Sequence, residues 1–159
     1  AKGFDMAIDA LKILKERKVP VHWWIVGDGE LRTSLEKHMR DNGVESNLTF
    51  LGFKSNPYPY MNKADLIAQT SRWEGKSVVL DEAKILEKPI LSTAYATVKD
   101  QVINGSEGII VEMNAEAIAQ EIECLVKDKS TLNRIRQYLK NHDYGNQNEI
   151  IKYYKLFEQ

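Results

Sequence analysis

Two carboxylates eight positions apart, Glu74 and Glu82, are the side chains of this sequence best placed to do chemistry, and a glycine, Gly75, follows the first. They stand in the stretch from Ser71 through Arg72, Trp73 and Glu74 to Glu82 and Ala83. A helix drawn from Val78 gathers Ile85, Val78, Leu86, Val79 and Ala83 on one arc, with Asp81, Lys84 and Glu87 outside it. Glu82 falls inside that arc, between Val78 and Leu86. A carboxylate among apolar neighbours is costly unless something hydrogen-bonds it, and no basic side chain nearby in the sequence shares its side of the helix. A ligand hydroxyl is one candidate donor. The plainer alternative is a glutamate at the edge of a buried face with its head in water. Just ahead, Gly75-Lys76-Ser77 opens the same helix, where free amide N–H groups and the positive dipole end suit a phosphate. Ser77 as a simple N-cap is the competing reading.

The elements that must position these groups alternate. Phe4, Ala7, Ile8, Leu11 and Leu14 predict an amphipathic helix from Phe4 to Arg17. Val21 to Val26 reads as a buried strand meeting the Gly27-Asp28-Gly29 turn. Leu31, Leu35 and Met39 predict a second helix, ended near Gly43. Strands follow at Leu48 to Leu51, Leu66 to Thr70, Pro89 to Ser92 and Ile109 to Val111. A short helix is expected around Tyr60 to Ala64. Beyond the last strand the pattern is helical only: Ala115 to Lys127, a helix marked by Leu132, Ile135 and Leu139, and a third marked by Ile150, Tyr154 and Phe157. Strand and helix in this rhythm predict an α/β fold, a Rossmann-like parallel sheet with helices on both faces. Ligands in such sheets sit at the carboxyl ends of strands. That directs attention to Gly27 and Gly29, to Phe53 and Lys54 after their strand, and to the loop holding Glu74.

At 159 residues, 43% of them hydrophobic, the sequence suits one globular domain. A net charge of -1 gives no bulk attraction to nucleic acid or to an anionic membrane. The single cysteine, Cys124, excludes an internal disulfide, fits a reducing compartment, and sits in an apolar helical pattern that predicts a core position. Trp23-Trp24-Ile25-Val26 is far too short to span a bilayer. His22, reading as a strand residue, and His38 and His142, on helix surfaces, lack metal-ligand spacing, so no metal or cofactor is expected. A nicotinamide dinucleotide site fails its own pattern: Gly27 and Gly29 would supply two glycines, but the third position is Arg32, and no acidic residue ends the next strand.

Further landmarks stand in order along the chain. Lys2-Gly3 precedes the first helix, Ile25-Val26-Gly27-Asp28-Gly29 ends a strand, and Phe50-Leu51-Gly52 is followed by Ala64-Asp65. Lys88-Pro89 comes next, then Gly105 and Gly108-Ile109. With Glu74 and Glu82 in an E-x7-E spacing, this set resembles the C-terminal, donor-binding domain of retaining nucleotide-sugar glycosyltransferases of GT-B fold, the group 1 (family 4) type. The likeness runs from Lys2 to Val111. It implies that Glu82 binds ribose hydroxyls and Glu74 the transferred sugar, while amides from Gly75 to Ser77 hold sugar and pyrophosphate. It also implies that Lys2 neutralises the leaving nucleoside diphosphate, a developing anion. Gly27 and Gly29 would shape the cleft floor, Phe53 and Lys54 would flank the base, and no metal would be needed. Three positions depart from the family: Lys76 and Ser77 stand where phenylalanine and proline are common, and Glu87 stands where glycine precedes K-P. Lys76 is open to two readings, a phosphate contact or a solvated side chain.

The resemblance therefore implies a single donor-binding domain over 1–159, with the family's first strand and N-terminal acceptor domain outside it. Residues before Ala1, or another chain, are then expected to fill the sheet. The implied partners are a nucleoside-diphosphate sugar and, through the other domain, an acceptor glycan or glycolipid. The implied setting is the cytoplasm, peripheral to the inner membrane face in the intact protein. A nucleotide-sugar epimerase of the same architecture, which the E-x7-E spacing argues against, and a non-catalytic nucleotide-sugar-binding module are the alternatives.

Overall fold

The apolar spacing from Phe4 onward produces an amphipathic helix, α1 (Phe4–Glu16), which buries Met6, Ala7, Ile8, Ala10, Leu11 and Leu14. The structure, a computed structural model, describes residues 1–145; the helix expected around Ile150, Tyr154 and Phe157 lies outside the described residues. After α1 come β1 (Trp23–Val26), α2 (Arg32–Asp41), β2 (Leu48–Gly52), α3 (Tyr58–Lys63) and β3 (Ile67–Gln69). Then follow α4 (Val78–Ile85), β4 (Ile90–Thr93), β5 (Gly108–Val111), α5 (Ala115–Lys127) and α6 (Ser130–Lys140). His22 stands just ahead of β1 and His142 just past α6; His38 lies on α2, hydrogen-bonded to Asp9 at 2.7 Å.

Every ladder among the described residues is parallel, and each connection crosses over, through a helix or, between β4 and β5, through a longer loop with the Val98–Asp100 turn. Among the described residues the strands form two sheets, β1 with β2, and β3-β4-β5. The two groups still share one core. Ile25 of β1 and Leu91 of β4 lie in the same buried cluster with Leu11 and Leu14 of α1 and Ile118 and Leu125 of α5. A second cluster, with Leu80, Ala83, Ile90, Tyr95, Val98 and Val102, fills the space between α4, the Val98–Asp100 turn and the strands. All of β4 is buried, and its alternate side chains serve the two clusters, Ile90 one and Leu91 the other.

Two expectations about helix faces are corrected. On α5 the buried line is Ile118, Ala119, Ile122 and Leu125, and Cys124 projects to the exposed side. A residue two places from Ile122 is turned away from the 122/125 line. On α4 the buried residues are Leu80 and Ala83, whereas Val78 is 65% exposed and Val79 is exposed too. Lys84, assigned to the outer face, is only 12% exposed and donates to the Gln101 carbonyl at 2.8 Å. This helix is apolar on two sides, so its sequence pattern does not choose between them. Packing of Leu80 into the second cluster does, and it leaves Val78, Val79 and Glu82 on a more open flank.

Candidate functional site

Lys2 and Glu74, 72 residues apart, are brought into contact by the way the start of the chain lies against the end of β3. The Thr70 hydroxyl donates to the Lys2 carbonyl at 3.0 Å, and the Arg72 N–H donates to the Ala1 carbonyl at 2.8 Å. Gly3 makes the seam possible: its φ is +63°, and a Cβ there would lie 2.0 Å from the Thr70 carbonyl oxygen. Arg72 adds a two-pronged pair to Asp5, at 2.8 and 2.6 Å. Hydrogen bonding from that guanidinium is the main cause holding the Asp5 carboxyl below its ordinary range.

At the seam's edge, Lys2 Nζ stands 2.7 Å from Glu74 Oε1, which also accepts from the Ser71 hydroxyl at 2.6 Å. The Glu74 side chain is 14% exposed, that of Lys2 57%. Burial pushes the Glu74 carboxyl up, but the hydrogen bonds from Lys2 and Ser71 and the Lys2 charge outweigh it, so the group lies below the usual glutamate range. The result is an ionised acceptor next to a cation at the carboxyl end of a parallel strand.

The start of α4 is anchored from below. Ser77, its N-cap, makes no capping bond. Its hydroxyl donates instead to Gln69 Oε1 at 2.6 Å, and its N–H donates to Gln101 Oε1 at 2.7 Å. Gly75 and Lys76 are exposed, and Lys76 Nζ lies 3.3 Å from Asp81 Oδ2. Glu82 finds its donor inside the chain: the Tyr58 hydroxyl, at the start of α3, donates to Glu82 Oε1 at 2.9 Å. Lys54 Nζ sits 5.8 Å from the Tyr60 ring centre on the same helix, and Phe53 is 77% exposed. Gly27 and Gly52 face each other across the ends of β1 and β2, with the Gly27 N–H donating to the Gly52 carbonyl at 2.8 Å. The Gly29 N–H donates to the Asp28 carboxylate at 2.8 Å.

The structure thus unites Lys2 with Glu74, and places Gly27, Phe53 and the Glu74 loop each at the carboxyl end of a strand. Reasoning from sequence did not find Tyr58, Gln69, Thr97 or Gln101. Tyr58 lies 24 positions from Glu82, and nothing in local spacing links them. Among the described residues no cluster of metal-ligating side chains occurs, and no helix is long and apolar enough to cross a membrane.

A search for relatives gives these features a family. The family model described as glycosyl transferases group 1 matches residues 1–142. A lipopolysaccharide core biosynthesis glycosyltransferase, LpsE of Rhizobium meliloti, is 30% identical over 137 residues, covering 86% of this chain and 39% of its own length. The chain therefore spans well under half of that relative. The crystal structure of Anabaena HepE in complex with UDP-glucose is 26% identical, covers 88% of this chain and 40% of its own, and superposes with a TM-score of 0.78. A crystallised C-terminal domain of a group 1 glycosyl transferase from Francisella tularensis shares the fold, with a TM-score of 0.74 over 92% of this chain. This chain belongs to the group 1 glycosyl transferase family.

Proposed function

We propose that this chain forms the donor-binding part of a retaining glycosyltransferase that moves a hexose from a nucleoside-diphosphate sugar to a glycan or glycolipid acceptor. The observation that carries this reading is the Lys2–Glu74 pair at the end of β3, 2.7 Å apart and next to the start of α4. A cation and a helix N-terminus together suit a diphosphate, and an ionised carboxylate beside them suits sugar hydroxyls. Support comes also from the family match and from HepE, which was crystallised with UDP-glucose. In this reading Lys2 and the amides at Gly75 and Lys76 hold the diphosphate, Glu74 the sugar, and Glu82 the ribose; Ser77, expected to share in that amide set, is instead spent on Gln101 and Gln69. Gly27 and Gly29 give the cleft floor, and Phe53 and Lys54 flank the base. The diphosphate leaves as an anion that Lys2 stabilises in place. Acceptor binding belongs outside these 159 residues, so donor binding without efficient glycosylation is expected of the chain alone.

Calorimetric titration against a panel of nucleoside diphosphates and their sugars tests the reading. Glu82→Gln should weaken the plain nucleoside diphosphate, and Glu74→Gln chiefly the sugar conjugate, each by about 1.5–3 kcal/mol, the range for a hydrogen bond to a charged group. Wild-type affinity in both variants would sink the assignment.

A further inference from the structure

The end of β4 and the segment after it carry side chains that neither the sequence reading nor the proposed roles use, and they reach the backbone of the Glu74 loop. Thr93 Oγ1 donates to the Ser71 carbonyl at 2.5 Å. Thr97 Oγ1 donates to the Glu74 carbonyl at 2.8 Å. Gln101 spans two residues: its Oε1 accepts the Ser77 N–H at 2.7 Å, and its Nε2 points to the Gly75 carbonyl at 3.5 Å. Gln69, at the end of β3, accepts the Ser77 hydroxyl and donates to Tyr95 OH at 3.2 Å. Ser71, Ser77, Gln69, Thr93, Tyr95 and Gln101 are all buried.

Polar side chains in such a position are costly unless their bonds are met, and these are met by one another and by the loop. The loop's front is held by the Arg72–Asp5 and Lys2–Glu74 pairs, but among the described residues the exposed Gly75 and Lys76 have their backbone tied only through these buried side chains and the start of α4. Satisfied buried networks rigidify the backbone they hold. The Lys84 ammonium, donating to the Gln101 carbonyl, ties the same segment back to α4.

Resting on the donor-site reading above, we infer that Thr97 and Gln101 are positioning residues: they clamp the Glu74–Ser77 backbone from beneath and so set the geometry with which Glu74 meets the sugar of the donor. They touch no ligand in this arrangement; they act through Glu74, Gly75 and Ser77. Thr97, bonded at Glu74, therefore governs the gain in affinity that the sugar adds to the nucleotide, and Gln101, bonded at Gly75 and Ser77, governs the hold on the diphosphate as well.

The test uses the 159-residue chain with UDP and UDP-glucose as probes, and three variants. Thr97→Val keeps the shape and removes the hydroxyl, Gln101→Met removes the amide, and Thr97→Ser restores a hydroxyl. Thr97→Val, which frees the Glu74 carbonyl, is expected to lose roughly tenfold in UDP-glucose affinity while UDP affinity changes by less than about threefold; Gln101→Met, which frees the Gly75–Ser77 backbone that faces the diphosphate, is expected to lose roughly tenfold for both probes, the scale of one or two lost hydrogen bonds. Thr97→Ser should behave as wild type. Nitrogen-15 relaxation gives a ligand-free second arm: amide order parameters from Glu74 to Lys76 should drop from about 0.85 toward 0.6 in the first two variants and not in α1. Equal losses for both probes in Thr97→Val, as general destabilisation would produce, or unchanged UDP-glucose binding in either variant, would overturn the inference, and unchanged loop order parameters would overturn the clamp itself. A wild-type chain that binds no nucleoside diphosphate or sugar conjugate of the panel above would overturn the donor-site reading, and the sugar role with it, while the relaxation arm still judges the clamp.

Discussion

Glu74 and Glu82 differ in what the chain already supplies to them. Glu82 has a neutral phenol donor, Tyr58, whereas Glu74 has an ammonium and a hydroxyl. That difference gives Glu74 a pH signature. Its carboxyl lies below the ordinary range, so the ionised form is stabilised by folding. The sign follows: this stabilisation is present in full above the unfolded-state value and is lost as pH falls through the depressed folded value. Carbon-13 NMR titration of the Glu74 carboxyl should show a midpoint under that of a free glutamate, and Lys2→Met should move it upward. A midpoint indifferent to Lys2 would contradict the role of the ion pair. Legibility at this scale was uneven. The spacing of Glu74 and Glu82 and the Lys2-Gly3 pair stand out in sequence, but the Lys2–Glu74 contact bridges 72 positions, and Thr97 and Gln101 carry no pattern at all because each acts through a backbone atom.

Among the elements, α4 shows why a local departure from family pattern need not alter the fold. The helix ends in a Schellman arrangement: the Glu87 N–H donates to the Lys84 carbonyl at 3.0 Å and the Lys88 N–H to that of Ala83 at 2.9 Å. Glu87 takes the left-handed conformation, φ 56°, which glycine adopts without penalty. The family's glycine at this place thus has a physical reason. Glu87→Gly should raise stability by about 0.5–1 kcal/mol, the left-handed penalty less the extra freedom glycine has when unfolded. A rise in Tm of roughly 1–4 °C by calorimetry is the expected outcome, and a fall would contradict it. The element order was legible throughout, with α5 expected at its observed limits, because long apolar periods fix helices well. The buried face of α4 was not, since apolar residues occupy both of its sides. The outward turn of Cys124 was missed because apolar neighbours in sequence do not share one face.

For the whole molecule, alternation predicted parallel strands walled by helices, which is what the chain forms. Alternation alone does not order the strands, since pairing is decided by distant backbone. For the 159 residues by themselves, the division into β1-β2 and β3-β4-β5 has an energetic consequence. Opening one group breaks no ladder bond to the other; the cost lies in the shared apolar cluster around Leu11, Leu14, Ile25 and Leu91. Cooperative units of this kind open sub-globally with their own free energies. Amide hydrogen exchange followed against urea should therefore sort into two isotherms, with β1, α2 and β2 opening together and more readily than β3, β4 and β5. A single isotherm for all five strands would show one unit. If two appear, the Glu74 loop belongs to the unit that stays closed longer, so a partly opened molecule would lose the Gly27 and Phe53 side of its site while the Glu74 side persists.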